Sequence, residues 1–140
     1  MQSGLNLKNN LAELSHLYAF VEEYGHREGL SKKLIHNLTL CLEEVFSNVV
    51  QYAFNDDAEH DIWISLSSDK ACIEIQIEDD GKPFNPLNVP LPGAKSFDDL
   101  DIGGLGLHLV RCLSNRLSYQ RTNGKNVLTL TFNQPNGCTT

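Results

Sequence analysis

The chain has 140 residues, of which 41% are hydrophobic, enough for one core of ordinary size and too few for two comfortable domains. Its formal net charge is -7 and it has no run of Lys and Arg, the residues that bind phosphate backbones. This composition argues against a nucleic-acid-binding protein and favours a protein or small-molecule partner. Four cysteines without a C-x-x-C pair, no leader pattern and no long apolar stretch predict a cytoplasmic protein without a membrane anchor.

A short strand followed by a helix is predicted for the first part of the chain. The segment Leu5-Asn6-Leu7 alternates in polarity, as a half-buried strand does. Asn10 and Glu13 have the spacing of a capping box, and the apolar residues after them recur at helical spacing as far as Tyr24. We therefore expect Asn10 to cap helix one.

A second, longer helix is predicted after a break at Gly29. Ser31 can cap its N-terminus, and apolar residues then recur at helical spacing from Leu34 to Ala53. A stripe of this kind predicts that one side of helix two packs against the core.

Two β-hairpins are predicted in the rest of the chain, because the apolar period changes from helical to two. The first hairpin is expected to turn at Ser67-Ser68-Asp69-Lys70, and the second at Asn123-Gly124, a dipeptide typical of tight hairpin turns. The paired strands comprise residues 62–66 with 73–77, and residues 117–122 with 127–132.

The segment between the hairpins is predicted to be a lid followed by a third helix. Residues 82–102 lack a regular period and are punctuated by proline and glycine, whereas residues 105–113 suit a helix. Residues 134–140 are expected to form a loose tail. The element order predicts one domain over residues 1–140, an α+β two-layer sandwich whose helices cover one face of a mixed, mostly antiparallel sheet.

Helix two carries a carboxylate and a carboxamide one turn apart. Each residue advances about 100° around a helix axis, so Glu44 and Asn48 share a face at the border of the apolar stripe, together with Asn37. Glu43 is expected to point toward water. Such a pair could polarise a hydroxyl and hold Mg²⁺ through oxygen. The alternative is the polar edge of an ordinary amphipathic helix.

A second polar cluster, Asp79-Asp80-Gly81, ends a predicted strand. Asp79 continues the series of Ile73 and Ile77, so it should point to the buried side of the sheet, where an acid needs a partner. A purine amine is a suitable donor, and Gly81 would let a planar ring approach the backbone. The alternative is a plain turn, in which Asp-Gly is common.

A third cluster, Gly103-Gly104-Leu105-Gly106, opens the predicted third helix. Glycines there would expose unpaired backbone N–H groups at the positive end of the helix dipole, which suits phosphate oxygens. The cluster follows a loop rather than a strand, so it fits neither the dinucleotide fingerprint nor the P-loop.

These three clusters, in this order, resemble the N, G1 and G2 boxes of the gyrase, chaperone and histidine-kinase (GHKL) ATPase superfamily, most closely its anti-sigma-factor serine/threonine kinase branch. The matching segments are residues 42–48, 78–84 and 103–107, and the resemblance covers roughly residues 4–133. It implies a Bergerat-type ATP-binding fold, ATP and Mg²⁺ as cofactors, and a homodimer.

The resemblance also implies a role for each matching residue. Glu44 would be the general base, Asn48 would hold Mg²⁺, and Asp79 would bind the adenine amine. Gly104 and Gly106 would cradle the phosphates. The other residues that the resemblance places at the nucleotide are Gly81, Phe84, Gly103, Leu105 and Asn126.

The chain departs from the family pattern at three places. Pro83 occupies the position of the second glycine of a typical G1 box, and Tyr52 stands where many members have histidine. The usual Gly-Thr of the last hairpin reads Gly124-Lys125-Asn126 here. The adenine and phosphate contacts are therefore the part of the site in which this chain is expected to differ from its relatives.

The function that the resemblance implies is a bacterial partner switch. The protein would bind a sigma factor and phosphorylate a serine on an anti-sigma-factor antagonist. The alternative is an ATP-gated module that binds a partner without phosphoryl transfer. A third hypothesis is a separate catalytic domain of a histidine kinase. Such an enzyme needs a helical hairpin that carries a phosphoacceptor histidine, and the predicted elements leave too few residues for one.

Overall fold

Five strands and two long helices account for most of the chain that the computed structural model describes, residues 2–85 and 109–134. Residues 109–113 are also helical. No helix in these two ranges is long and apolar enough to cross a membrane. In chain order the elements are β1 (Gln2–Lys8), a 3-10 turn (Leu11–Glu13), α1 (Leu14–Arg27), α2 (Lys32–Tyr52), β2 (Asp61–Ser68), β3 (Cys72–Asp79), β4 (Arg116–Thr122) and β5 (Lys125–Asn133).

The strands form one sheet in the order β1-β2-β3-β5-β4, and each neighbouring pair is antiparallel. Alternate side chains of β2, β3 and β5 are buried and join the apolar sides of α1 and α2 in one core. The predicted α+β sandwich is therefore confirmed. The parallel part of a mixed sheet is not found among the described strands.

The two predicted helix caps have different outcomes. Ser31 caps α2 as expected, since its Oγ accepts a hydrogen bond from the backbone N–H of Leu34 at 3.1 Å. Asn10 caps the 3-10 turn that precedes α1, through the N–H of Ala12 at 2.8 Å. The Glu13 carboxylate accepts from the N–H of Lys8 rather than of Asn10, so the expected reciprocal capping box is wrong.

Both hairpins are confirmed. Asn123 and Gly124 have φ values of 53° and 77°, the left-handed conformation that the two central residues of a type I′ turn require. The first hairpin turns at residues 69–71 rather than at 67–70, because β2 continues through Ser68. The carboxylate of Asp69 closes that turn by accepting from the N–H groups of Ala71 and Cys72.

Most of the predicted lid, the glycines of the third cluster and the tail lie outside the described residues. Of the lid, only residues 82–85 are described. The described parts of the predicted site are the C-terminal half of α2, the end of β3 and the start of β5. These three lie next to one another in the fold.

Candidate functional site

Asp79, the last residue of β3, lies opposite Asn126 on β5, and both side chains are only 2% exposed. The buried position predicted from strand parity is confirmed. Oδ1 of Asp79 accepts two hydrogen bonds, from the N–H of Gly81 and from Nδ2 of Asn126, each at 2.9 Å. Burial raises the pKa of the Asp79 carboxyl above its ordinary value, and these two hydrogen bonds oppose that rise.

The side-chain amide of Asn126 is the centre of a hydrogen-bond network. Besides Asp79, its Nδ2 donates to the carbonyl of Lys82 at 2.8 Å. Its Oδ1 accepts from the N–H of Phe84 at 3.0 Å, from the Tyr119 hydroxyl at 2.5 Å and from Nη1 of Arg121 at 3.1 Å. One buried amide therefore holds the end of β3 and the segment that follows it.

Gly81 is required by packing against α2. A Cβ at this position would lie 2.3 Å from the carbonyl oxygen of Ala53, the residue that follows α2. The same carbonyl accepts a hydrogen bond from the N–H of Lys82 at 2.8 Å. Close packing against Ala53 is therefore a second reason for glycine here, and the predicted approach of a planar ring to this backbone stays a prediction.

One face of α2 leads from the first cluster to the second. Glu44, Asn48 and Tyr52 are spaced four residues apart, and the Tyr52 ring lies 5.9 Å from the ring of Phe84. The backbone N–H of Phe84 donates a hydrogen bond to Oδ1 of Asn126. The end of α2 thus meets the segment that follows β3, and α2 and the end of the sheet are the two walls of the candidate site. Six of the predicted residues lie on these walls: Glu44, Asn48, Asp79, Gly81, Phe84 and Asn126.

In the part of the chain that the structure describes, two polar side chains of α2 lack the hydrogen-bond partners that Asp79 and Asn126 have in the sheet. Asn48 is 1% exposed, deeper than the border position expected for it, and its Nδ2 has no hydrogen-bond partner among the described residues. The carboxylate of Glu44 is half-buried and likewise makes no hydrogen bond or ion pair within the described ranges. Burial, and secondarily the charge of Glu43, raises the pKa of Glu44.

Glu43 does not simply point to water as expected. Its Oε1 accepts a hydrogen bond of 2.5 Å from the hydroxyl of Tyr18 on α1. Glu43 and Glu44 are nonetheless in different environments, since only Glu44 shares the face of Asn48.

The sequence analysis did not predict that Tyr119 and Arg121 contact Asn126 at the candidate site. The two-residue turn at Asn123-Gly124 places Arg121 directly opposite Asn126, so the hairpin register alone could have revealed this neighbour. Tyr119, two residues earlier, has the same strand parity. Arg121 also donates to the carbonyl of Gly81 at 2.8 Å.

Gly103, Gly104, Leu105 and Gly106 lie outside the described residues, and their assignment to phosphate stays a prediction. Within the described ranges, no group of three His, Cys, Asp or Glu side chains could hold a metal ion.

Comparison with known proteins gives the same class as the motifs. The profile of the histidine kinase-like ATPase domain matches residues 7–132. The chain is 37% identical over 115 residues to the serine/threonine-protein kinase BtrW of Bordetella bronchiseptica, with 80% of each chain covered. It is 27% identical over 107 residues to the serine-protein kinase RsbW of Bacillus velezensis, which covers 72% of this chain and 66% of RsbW. RsbW of Oceanobacillus iheyensis is 30% identical over 94 residues, covering 64% and 60%.

The chain belongs to the histidine kinase-like ATPase family, with the α+β fold of GHKL proteins. Within that family it is a protein kinase of the branch that includes BtrW and RsbW, so the predicted resemblance is confirmed. The family implies ATP as the nucleotide.

Proposed function

We propose that this kinase uses ATP and Mg²⁺ to phosphorylate a serine on an anti-sigma-factor antagonist, and that it binds a sigma factor in the alternative state of the switch. The observation that carries the proposal is the contrast within one site. A buried, hydrogen-bonded carboxylate ends β3, while the facing side of α2 carries a buried amide and a half-buried carboxylate that lack described partners.

Asp79 is proposed to recognise adenine. Both of its hydrogen bonds end on Oδ1, and within residues 2–85 and 109–134 none reaches Oδ2. An ionised carboxylate oxygen is an acceptor only, so Oδ2 is suited to the exocyclic amine of adenine and not to a keto oxygen. Gly81 and Phe84 would lie at the nucleotide because they follow Asp79 in the chain, and Asn126 because it lies opposite Asp79 on β5.

Asn48 is proposed to hold Mg²⁺ through its side-chain oxygen. A buried amide with an unpaired Nδ2 is costly and needs an explanation in a native structure; a phosphate oxygen could accept from Nδ2 while the amide oxygen holds the ion. Carboxamide oxygen is a ligand that Mg²⁺ accepts, and the ion commonly takes its other ligands from water and phosphates. The bound ion would neutralise charge on the phosphates. Gly103, Gly104, Leu105 and Gly106 would contact those phosphates through the backbone.

Glu44 is proposed as the general base. Burial raises the pKa of its carboxyl, which strengthens it as a proton acceptor, and no described side chain competes for its oxygens. The serine hydroxyl of the antagonist would give its proton to Glu44 as its oxygen attacks the γ-phosphorus. The bond from that phosphorus to the β,γ-bridging oxygen breaks, and the electron pair leaves with ADP.

Incubation with labelled ATP, Mg²⁺ and candidate antagonist proteins encoded by the same genome tests the proposal. We expect phosphoserine on one antagonist, none when the metal is chelated, and a strongly reduced rate of its formation when Glu44 is changed to Gln. Nucleotide-dependent binding of a partner without any phosphoserine would instead support the ATP-gated binding module. The cytoplasmic location, which was expected from the sequence, and the homodimer, which the family resemblance implies, are also proposals, and sedimentation would test the second.

A further inference from the structure

We infer that Asn126 is a positioning residue that does not touch the nucleotide: backed by Tyr119 and Arg121, it holds the Asp79 carboxylate so that Oδ2 faces the adenine amine. This inference rests on the proposed role of Asp79 in adenine recognition. It assigns roles to Tyr119 and Arg121, and it changes the role expected for Asn126 from contact to orientation.

The hydrogen-bonding capacity of the Asn126 amide is already used. An asparagine side chain offers two N–H donors and two lone pairs. Both donors are engaged, by Oδ1 of Asp79 and by the carbonyl of Lys82. The oxygen accepts from three donors, which leaves no capacity for a ligand. Asn126 can therefore act on adenine only through Asp79.

The partners of Asn126 also fix which way its amide points. The Arg121 guanidinium and the backbone N–H of Phe84 can only donate in these contacts, since neither group has an acceptor. They hold the amide oxygen on their side of the residue, and the NH₂ group must then face Asp79. If the amide were reversed, two donors would oppose its NH₂ group and the Asp79 carboxylate would face an oxygen.

The strand register makes this arrangement continuous across the sheet. Asp79, Asn126 and Arg121 lie opposite one another on β3, β5 and β4. Arg121 reaches past Asn126 to the carbonyl of Gly81, so the guanidinium ties the β4 edge to the segment after Asp79. Its positive charge favours the ionised form of Asp79, as does the hydrogen bond from Asn126.

The test compares ATP with the purine riboside triphosphate that lacks the 6-amino group, by calorimetry. In the unmodified protein we expect ATP to bind more tightly than the analogue. Asn126→Ala should weaken ATP binding about 10- to 100-fold and leave the analogue nearly unchanged, because only the amine depends on the orientation of Asp79. The pH below which ATP affinity falls should also rise in this variant.

Because Asn126 is buried, its replacement could impair folding, and Arg121→Gln provides a second variant at an exposed side chain. We expect the same loss of preference for ATP over the analogue, smaller in size, with urea unfolding little changed. Gln120→Ala is the matched control, since Gln120 is the exposed neighbour of Arg121 on the opposite face of β4. It should leave the preference intact.

Three outcomes would overturn the inference. If Asn126→Ala and Arg121→Gln lower stability but keep the full preference for ATP, the network is only structural. If both nucleotides weaken equally, Asn126 does not act through the adenine amine. If the unmodified protein does not distinguish ATP from the analogue, the adenine role of Asp79 fails as well. The first two results would leave the proposed function standing.

Discussion

The two walls of the site differ in how completely their polar groups are paired. At the end of the sheet, Asp79 and Asn126 are buried and linked to each other and to the backbone after β3. On the facing side of α2, Asn48 is as deeply buried but leaves its Nδ2 unpaired within the described ranges, and Glu44 is half-buried without a described partner. The first wall is therefore held by its own hydrogen bonds, whereas among the described residues the two groups on α2 are not.

The difference indicates where ligand binding would supply missing interactions. Hydrogen bonds within the protein hold Asp79 and Asn126 in place without a ligand, so binding there would cost little for ordering. Unpaired buried groups raise the free energy of the folded chain, because desolvation is not compensated. A ligand that pairs them would recover that energy. Under the proposed function, the end of the sheet would be preorganised as the adenine wall, and Glu44 and Asn48 would gain partners only when phosphate, metal and the acceptor hydroxyl bind.

The largest expected effect is on the α2 wall. Glu44→Gln should lower phosphoryl transfer by about 10² to 10⁴ and spare ATP binding, because the amide cannot accept the proton from the serine hydroxyl. Single-turnover transfer to the antagonist, with ATP affinity measured in parallel, checks this. Glu43→Gln is the matched control and should do little, since that carboxylate is engaged by Tyr18. Equal effects of the two changes would reject Glu44 as the base.

On the adenine wall, Asp79→Asn should weaken ATP binding by about 1 to 3 kcal/mol, because the new NH₂ group would oppose the adenine amine. The carboxamide oxygen can still accept from Gly81 and Asn126, so the network and the fold should persist. Calorimetry measures the affinity, and circular dichroism verifies the fold. Unchanged ATP affinity in a folded variant would remove Asp79 from the adenine site.

Preorganisation of the adenine wall also depends on its contact with the end of α2. Gly81→Ala should destabilise the protein by about 1 to 3 kcal/mol, because the added Cβ would overpack against a backbone oxygen that cannot easily move. Urea unfolding measures the loss. Gly4→Ala is the control, since a Cβ there meets only Ile64 O at 3.8 Å, an ordinary contact. Similar losses at both glycines would show that close packing at Gly81 is not the cause.

The smallest effect is a pH dependence of stability from Asp79. Burial raises its pKa in the folded protein, so the folded chain binds a proton at higher pH than the unfolded chain does. The charged carboxylate therefore lowers stability at neutral pH, and this penalty is relieved as the pH falls through the folded-state pKa.

Asp79→Asn removes that penalty. The stability of this variant relative to the unmodified protein should be greatest near neutral pH and should shrink on acidification. Urea unfolding of both proteins across the acidic range measures the difference. A difference that does not change with pH would mean that Asp79 carries no raised pKa, and that the adenine wall holds its carboxylate without an electrostatic cost.

Much of the fold and part of the site could be predicted because the signals are local. The period-two pattern around Ile73 and Ile77 gave the buried side of β3 and hence the burial of Asp79. The dipeptide Asn123-Gly124 gave the turn and, through it, the register of the last hairpin. The sheet partners of β3 were not predictable from these patterns, since pairing between distant strands depends on the packing of the whole core.

By itself, the sequence determined the element types, the face on which Asp79 lies and the family to which the chain belongs, because periodicity, turn chemistry and ordered motifs are properties of short segments. Only the tertiary structure decided that Gly81 packs on Ala53, that Tyr18 engages Glu43, and that the Asn126 amide is saturated by protein groups. Each of these contacts joins residues from different elements. Their distances are set when helices and sheet pack together, and no local pattern encodes that packing.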